Sequence, residues 1–131
     1  MLIELLRKWL ALEPHVCRYG AGVFRDSFFI RVSWGDWVSI SSQNPDPFFL
    51  DRTSVAKLQV FLQSQLTRFE FTWSIGQFPT KTYLAVVDIS ERKSVYSRQL
   101  SLIVALLDAY LQALELRKIV FLKKKEVNHV C

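Results

Sequence analysis

The chain has 131 residues, of which 50% are hydrophobic and 22% are charged. This length is typical of one domain, and the apolar fraction is large enough for a packed core, which excludes an intrinsically disordered chain. Four glycines and four prolines exclude collagen-like and low-complexity classes, and two cysteines are too few for a disulfide-stapled secreted scaffold. We therefore predict a reduced, globular protein in the cytoplasm.

The positive charge is concentrated at the C-terminal end. The formal net charge is +5, and residues 117–131 contain five of the 17 basic residues but one of the 12 acidic ones. The remaining residues are nearly balanced, so the domain-wide basic surface of a typical nucleic-acid-binding protein is not expected. We predict a single domain over residues 1–118 and a basic C-terminal tail over residues 119–131.

The first elements are a helix and one or two strands. Apolar residues recur at spacings of three and four, which predicts an amphipathic helix that ends before Pro14. These apolar residues are Leu2, Leu5, Leu6, Trp9 and Leu10. Residues 16–24 allow a short strand that two glycines weaken. From Phe28 to Trp34 the side chains alternate between two faces, which predicts a half-buried strand. One face carries Phe28, Ile30, Val32 and Trp34, and the other carries Phe29, Arg31 and Ser33.

The turn after this strand can be judged from the faces on which side chains lie. A two-residue loop pairs Trp34 with Trp37 and places Val38 and Ile40 opposite the apolar face of the first strand. A three-residue loop through Trp37 pairs Trp34 with Val38 and keeps the apolar side chains on one face. We therefore predict the three-residue loop.

A second helix follows a break at Asn44–Pro47, where two prolines disfavour helix. Either Asp51 or Thr53 can cap this helix, which we predict over Arg52–Leu66. Its buried stripe, with Phe61 beside it, is formed by Val55, Leu58, Leu62 and Leu66.

Strict alternation then predicts a strand over Phe69–Ile75, and Lys81–Ile89 predicts the returning strand of a hairpin. Either Ser94 or Ser97 can open a last helix, which is apolar around most of its girth over Leu100–Leu116. Such a helix is central to the core or is covered in part by a partner. Because this apolar run is shorter than the ~20 residues that span a bilayer, we predict no membrane association.

The predicted order is α-β-β-(β)-α-β-β-α, where the bracketed strand is the weak one. Strand pairs joined by short turns imply an antiparallel sheet. The fold class is therefore predicted as α+β, an antiparallel sheet with helices against it, rather than a parallel nucleotide-binding fold.

No arrangement of residues predicts catalysis. The tripeptide His-Val-Cys occurs at residues 15–17 and 129–131, but about one repeated tripeptide is expected by chance in a chain of this length. Neither copy has the close ligand spacing of a structural zinc site. Phosphate-binding glycine loops and the Gly-x-Ser-x-Gly elbow are also missing from the sequence. We predict no catalytic residue, no metal and no cofactor.

Aromatic residues make up 14% of the chain, and two of them fall on the less apolar face of the first hairpin. With a neighbouring arginine they could stack single-stranded bases, while three lysines near the C-terminus contact phosphates. The residues of this nucleic-acid alternative are Phe29, Arg31, Trp37, Lys123, Lys124 and Lys125. A helix could also cover this face, but we favour a protein–protein surface, because aromatic residues and arginine dominate interface energetics.

The Val87–Ile89 strand end, the polar Ser90–Ser97 connection and the Leu100–Leu116 helix resemble the closing strand, loop and helix of the class I type III secretion chaperones. The resemblance in element order covers residues 1 to 118. Members of that family are homodimers that hold the N-terminal segment of a secreted effector in an extended form, without nucleotide.

The resemblance implies a non-enzymatic homodimeric chaperone that binds an extended segment of a client protein. By position, its client groove would be lined by Leu6, Trp9, Phe28, Ile30 and Val38. Its dimer interface would contain Val55, Leu58, Leu62, Phe71 and Trp73. An extended client can add backbone hydrogen bonds at a strand edge while its side chains enter pockets. The same residues could equally form the core of a monomer. The alternatives are a small phage-type or accessory nucleic-acid-binding protein and a structural subunit of a larger assembly.

Overall fold

The computed structural model describes residues 2–20, 26–42 and 51–130, with side chains described as far as residue 119. Over these ranges the chain forms three helices and six strands. In chain order they are α1 (Leu2–Leu12), β1 (Cys17–Tyr19), β2 (Ser27–Ser33), β3 (Asp36–Ser41), α2 (Arg52–Arg68), β4 (Thr72–Gln77), β5 (Tyr83–Ser90), β6 (Lys93–Gln99) and α3 (Leu102–Val130). The predicted α+β class is confirmed.

The strands form two antiparallel sheets. Sheet A has the order β1-β2-β3, and sheet B has the order β4-β5-β6. Helix α1 contacts β1, and α2 contacts β2 and β3, while α3 packs on β5 and β6. Because α1 and α2 also contact α3, the three helices lie between the two sheets.

Helix α3 is at the centre of the core. Ala105, Leu106 and Ala109 are fully inaccessible to solvent, as is Tyr110. Because α1 and α2 pack on α3 and sheet B covers another side of it, α3 needs apolar residues around most of its circumference, which is the pattern in the sequence. The helix continues to Val130, so the segment that we predicted as a tail has helical backbone through residue 130.

Helix α2 begins at the predicted position. Asp51 is its N-cap, and the carboxylate accepts hydrogen bonds from the backbone N–H of Ser54 at 2.8 Å and from the Ser54 hydroxyl at 2.8 Å. This geometry satisfies an N–H group that has no partner inside the helix. The structure therefore selects Asp51 over Thr53 as the cap.

The end of α2 corrects the predicted start of the next strand. The helix extends to Arg68, and Phe69 closes it by donating its backbone N–H to the Gln65 carbonyl at 3.0 Å. Glu70 has a φ of +62°, in the left-handed region that ends the turn. The strand that we predicted from Phe69 therefore begins only at Thr72.

The hairpin between β2 and β3 keeps its apolar residues on one face, as predicted, but with a different turn. Ile30 pairs with Val38, whereas the turn consists of Trp34 and Gly35 alone. The predicted three-residue loop is wrong because Val32 is an extra residue in β2, a β-bulge that shifts the strand by one position. Gly35, with a φ of +74°, takes a conformation that most other residues avoid.

Two further strands bear on the predictions. The short strand allowed within residues 16–24 is β1, although residues 21–25 lie outside the described residues. The predicted connection over Ser90–Ser97 is wrong, since residues Lys93–Gln99 form β6 and pair with β5. The predicted helix start at Ser94 or Ser97 moves to Leu102 for the same reason.

Candidate functional site

The outer face of sheet A, which points away from α1 and α2, carries arginine and aromatic side chains. On β2, Phe29 and Arg31 alternate with residues buried beneath the sheet, and the register pairs Arg31 with Trp37 on β3. The three residues of the nucleic-acid alternative on this hairpin are therefore brought together, as predicted. Arg18, which pairs with Phe29 from β1, joins the same face. The sequence analysis missed it because its strand is only three residues long.

Two guanidinium groups on this face lie over tryptophan rings. The Arg31 guanidinium carbon is 5.0 Å from the ring centroid of Trp34, and that of Arg18 is 5.8 Å from the ring centroid of Trp37. Both distances fall within the range of cation–π attraction. Trp34 is 90% exposed at the tip of the hairpin. We name Arg18, Phe29, Arg31, Trp34 and Trp37 the arginine–aromatic face.

Strand β4 is a second surface, which α3 leaves partly uncovered although α2 contacts the strand. Trp73 pairs with Val87, which in turn pairs with Val95, so these three side chains share the face of sheet B that α3 covers. Val87 and Val95 are buried, but Trp73 is 37% exposed because α3 packs on β5 and β6. Together with Ile75, which is half-buried on the same face, Trp73 forms what we name the β4 flank.

Strand β4 also has an unusual sequence for an edge. Within the described ranges it pairs only with β5. The other edge strands carry charged residues, namely Arg18 on β1, Asp36 on β3, and Lys93 and Arg98 on β6, whereas β4 has none. Charges on edge strands normally prevent pairing with other chains. The edge of β4 is therefore open to pairing.

The residues predicted to line a client groove lie in the core of the single chain. Each of them is at most 1% exposed, and they fill the space between α1, α2 and sheet A. These residues are Leu6, Trp9, Phe28, Ile30 and Val38. As the chain is folded here, none of them lies on a surface that a client could contact.

The residues predicted for a dimer interface are divided between core and surface. Leu58, Leu62 and Phe71 are buried within the chain. Val55 is half-buried on α2, and Trp73 is exposed on β4. Only the last two can contribute surface to a second copy without unfolding of the core.

A buried polar cluster ties α1 to α3. The Glu13 carboxylate oxygen Oε1 accepts a hydrogen bond from the Trp9 indole nitrogen Nε1 at 3.0 Å and another from the Tyr110 hydroxyl at 2.6 Å. Burial, followed by the hydrogen bond to Glu13, raises the pKa of Tyr110 well above its usual range. The sequence analysis missed Glu13, because a glutamate before a proline at the end of a helix gives no sign of burial.

Cys17 is fully buried, and its Sγ lies 3.7 Å from the Leu6 carbonyl oxygen. Burial, and to a lesser extent the charge of Glu13, raises the pKa of the Cys17 thiol to about 12. A thiol that stays protonated is a poor nucleophile and metal ligand, and it behaves as the packing residue that the sequence predicted. His129 and Cys131, the second copy of the motif, lie outside the described side chains.

The described residues contain neither a cluster that could hold a metal nor a helix that could span a membrane. Within the described residues, no three His, Cys, Asp or Glu side chains come close enough to hold a metal ion. No described helix combines the length and the hydrophobicity needed to cross a bilayer.

Comparison of the chain with protein-family models, with curated proteins and with solved structures finds no match.

Proposed function

We propose that the protein is a non-enzymatic, homodimeric binding module that holds an extended segment of a client protein, in the manner of the class I type III secretion chaperones that its element order resembles. The observation that carries this proposal is the open, uncharged edge of β4 with Trp73 beside it. Backbone N–H and C=O groups along such an edge gain hydrogen bonds when another chain adds a strand.

In the proposed dimer, β4 pairs with β4 of a second copy. This pairing joins two copies of sheet B and covers the β4 flank on both. Trp73 and Ile75 then contact the second copy, which removes an aromatic ring from water. Burial of a tryptophan is among the larger single contributions to an interface. Val55 of α2, which is half-buried, is the other residue of the predicted interface that a second copy could contact.

The client surface of this proposal is the arginine–aromatic face, because the residues first predicted for it are buried. Strand β3 borders this face and is an edge of sheet A in the described residues. Asp36 at the start of β3 disfavours pairing at the turn, but residues 37–41 carry no charge, so an extended segment can pair along them and place a side chain beside Trp37. A cleft of about 360 Å³ lies beside the hairpin turn on the α2 side of sheet A, lined in part by Val32, Val60 and Phe61. The client side chains that alternate to that side could enter it.

Light scattering at micromolar concentration tests the dimer. We expect a dimer for the native chain and a monomer for Trp73→Glu, because the substitution buries a charge at the paired edge. Tyr96→Glu is the matched control, since Tyr96 is an exposed aromatic residue on the other edge strand of sheet B. It should stay dimeric. A monomeric native chain, or equal effects of the two substitutions, would contradict the proposal.

Client binding is tested separately with an array of short, unstructured peptides. We expect the native protein to retain a subset of apolar and acidic peptides, and Trp37→Ser and Arg31→Gln to release them. Arg98→Gln on sheet B serves as the control for loss of positive charge. Peptide retention that survives both sheet A substitutions would place the client elsewhere.

A second candidate function is binding of single-stranded nucleic acid, because Phe29, Arg31 and Trp37 share one exposed face. Aromatic rings and arginines on a sheet stack bases, and the lysines at 123, 124 and 125 would contact phosphates. One face of the Trp37 ring is already occupied by Arg18, which leaves the other for a base.

Fluorescence anisotropy with a labelled single-stranded oligonucleotide tests this second function. The affinity should fall steeply as salt increases, and it should weaken when Lys123, Lys124 and Lys125 are replaced by glutamine. An affinity that the triple substitution leaves unchanged would exclude this function for the basic segment.

A further inference from the structure

A pocket of about 420 Å³ lies where the C-terminal ends of α1 and α2 meet the middle of α3. Basic side chains from three elements line its rim, and Glu13 and Gln65 lie among its other lining residues. The basic residues are His15, Arg68, Arg117 and Lys118. The pocket is separate from the arginine–aromatic face and from the β4 flank, since none of its lining residues belongs to either sheet.

The cations of this pocket have no carboxylate partners among the described side chains. The ion pairs found there are Lys8 with Glu115 at 3.0 Å and Lys57 with Asp36 at 3.1 Å, and neither includes a pocket residue. The Arg117 guanidinium instead lies 4.5 Å from the ring centroid of Phe69, which also lines the pocket. Stacking on a ring holds a guanidinium in place and leaves its N–H groups available.

Several carbonyl groups at the ends of α1 and α2 already accept hydrogen bonds from backbone N–H groups. The Trp9 carbonyl of α1 already accepts the backbone N–H of Glu13 at 2.7 Å. At the end of α2, the carbonyls of Gln65 and Leu66 accept backbone N–H groups at 3.0 and 2.9 Å. At these carbonyls the backbone supplies the hydrogen bonds, so the basic side chains of the pocket are not required there.

We propose that this pocket binds a small molecule through a phosphomonoester group. Arg68, Arg117 and Lys118 outnumber the single carboxylate of Glu13 and leave two formal positive charges, which match the charge of about −1.5 to −2 on a phosphomonoester at pH 7. Guanidinium groups bind phosphate oxygens through paired N–H bonds. The volume lies within the range of small-molecule sites.

Two polar side chains that line the pocket are held in place by other side chains, and of these the Gln65 amide can donate to a phosphate whereas the Glu13 carboxylate repels it. Glu13 is held by hydrogen bonds from Trp9 and Tyr110, and Gln65 lies 3.5 Å from the Tyr110 hydroxyl. Side chains that are fixed before binding lose little conformational entropy when the ligand arrives. The inference does not depend on the proposed chaperone function.

Titration calorimetry at constant ionic strength tests the proposal with three probes: inorganic phosphate, glycerol 3-phosphate and a phosphoserine peptide. We expect glycerol 3-phosphate to bind more tightly than inorganic phosphate, because its organic part also contacts the pocket. Arg68→Gln and Arg117→Gln should each weaken binding about tenfold or more, since each removes a charge-assisted hydrogen bond. Lys118→Gln, at a fully surface position, should weaken it as well.

Arg98→Gln is the matched control, because Arg98 also lies over a phenylalanine ring, 4.3 Å from that of Phe78, but outside the pocket. It should leave the affinity unchanged. Absence of glycerol 3-phosphate binding, or an equal loss in Arg98→Gln, would overturn the proposal. Tighter binding of the phosphopeptide than of both small probes would overturn the assignment to a small molecule. Thermal melts of each variant confirm that it is folded.

Discussion

Sheets A and B have the same number of strands and the same antiparallel arrangement, but the helices cover them differently. In sheet A, Phe28 and Ile30 alternate with Phe29 and Arg31 of the outer face and are almost inaccessible. In sheet B, Trp73 and Ile75 alternate with polar residues in the same way, yet Trp73 is exposed and Ile75 only half-buried.

The difference shows what strand alternation does and does not encode. Alternation determines which side chains share a face of the sheet. Whether that face is covered depends on where the helices lie, and α3 covers β5 and β6 in preference to β4. An apolar stripe in a strand therefore predicts either core or interface, and only packing decides between them.

Truncation of one residue on each stripe should reveal this difference directly. Phe28→Ala should reduce the free energy of unfolding by about 3–5 kcal/mol, because it leaves a cavity in a packed core. Trp73→Ala should cost much less in urea denaturation at protein concentrations low enough to keep the chain monomeric. Similar losses at the two sites would mean that β4 is covered within the single chain.

The contact between α1, which packs on sheet A, and α3, which packs on sheet B, can be weakened at Glu13. Glu13→Ala leaves two buried donors, the Trp9 N–H and the Tyr110 O–H, without their acceptor. We expect a loss of about 1–3 kcal/mol in the free energy of unfolding by urea denaturation. Glu13→Gln keeps an acceptor and should cost less. If both variants matched the native protein, the cluster would have no role in stability.

Alkaline pH should lower the free energy of unfolding through one buried group on sheet A and another on α3. Cys17 on sheet A has its pKa raised from 9.0 to about 12, mainly by burial, and burial followed by the Glu13 hydrogen bond raises the pKa of Tyr110 on α3 above 10.0. Both groups deprotonate first in the unfolded chain, so their contribution to stability is constant below pH 9 and falls above it. The slope is at most about 1.4 kcal/mol per pH unit for each group.

Two substitutions separate these contributions in denaturation series at stepped pH. Cys17→Ala should remove the decline that begins near pH 9, and Tyr110→Phe should remove the part that begins near pH 10. If stability fell in both variants with the slope of the native protein, the alkaline transition would belong to other groups.

The smallest expected effect concerns the cap of α2, the helix that covers β2 and β3. Asp51→Ala removes the two hydrogen bonds to Ser54 and should lower Tm slightly, whereas Thr53→Ala should not. The backbone N–H of Ser54, and then its hydroxyl, lower the pKa of Asp51, so this contribution is present above pH 3.8 and is lost as the pH falls. A larger effect of Thr53→Ala would reverse the assignment of the cap.

Elements with strong local signals could be predicted from the sequence. Helix α2 has a capping aspartate and an apolar stripe, and β2 has clear alternation, so both were found near their true bounds. Strand β6 could not be found in this way, because only Val95 is an apolar residue on its buried face. The other buried side chain, Ser97, donates its hydroxyl to Asp108 at 2.6 Å, a partner on α3 that no local pattern indicates.

The sites show the same division. Alternation places Phe29 and Arg31 on one face of β2, so that pair was predictable, but the pairing of Arg31 with Trp37 depends on the β-bulge at Val32, which no local pattern indicates. The basic pocket depends instead on contacts among three helices that are far apart in the chain, and its arginines look like ordinary surface residues in the sequence. The residues predicted to line a client groove lie in the core of the chain. The sequence does not distinguish the two, because a core and a client groove both require apolar side chains.

The hydrogen bond between Tyr110 and Glu13 joins residues that are 97 positions apart. During synthesis, α1 and the strands of sheet A emerge early, but the helix that completes their interior is translated only after sheet B. Until then Glu13 lacks its hydrogen bond from Tyr110, and the newly made segment exposes apolar surface that molecular chaperones could shield. Slowed translation ahead of codon 102 should therefore lengthen the period in which the nascent chain is sensitive to proteases.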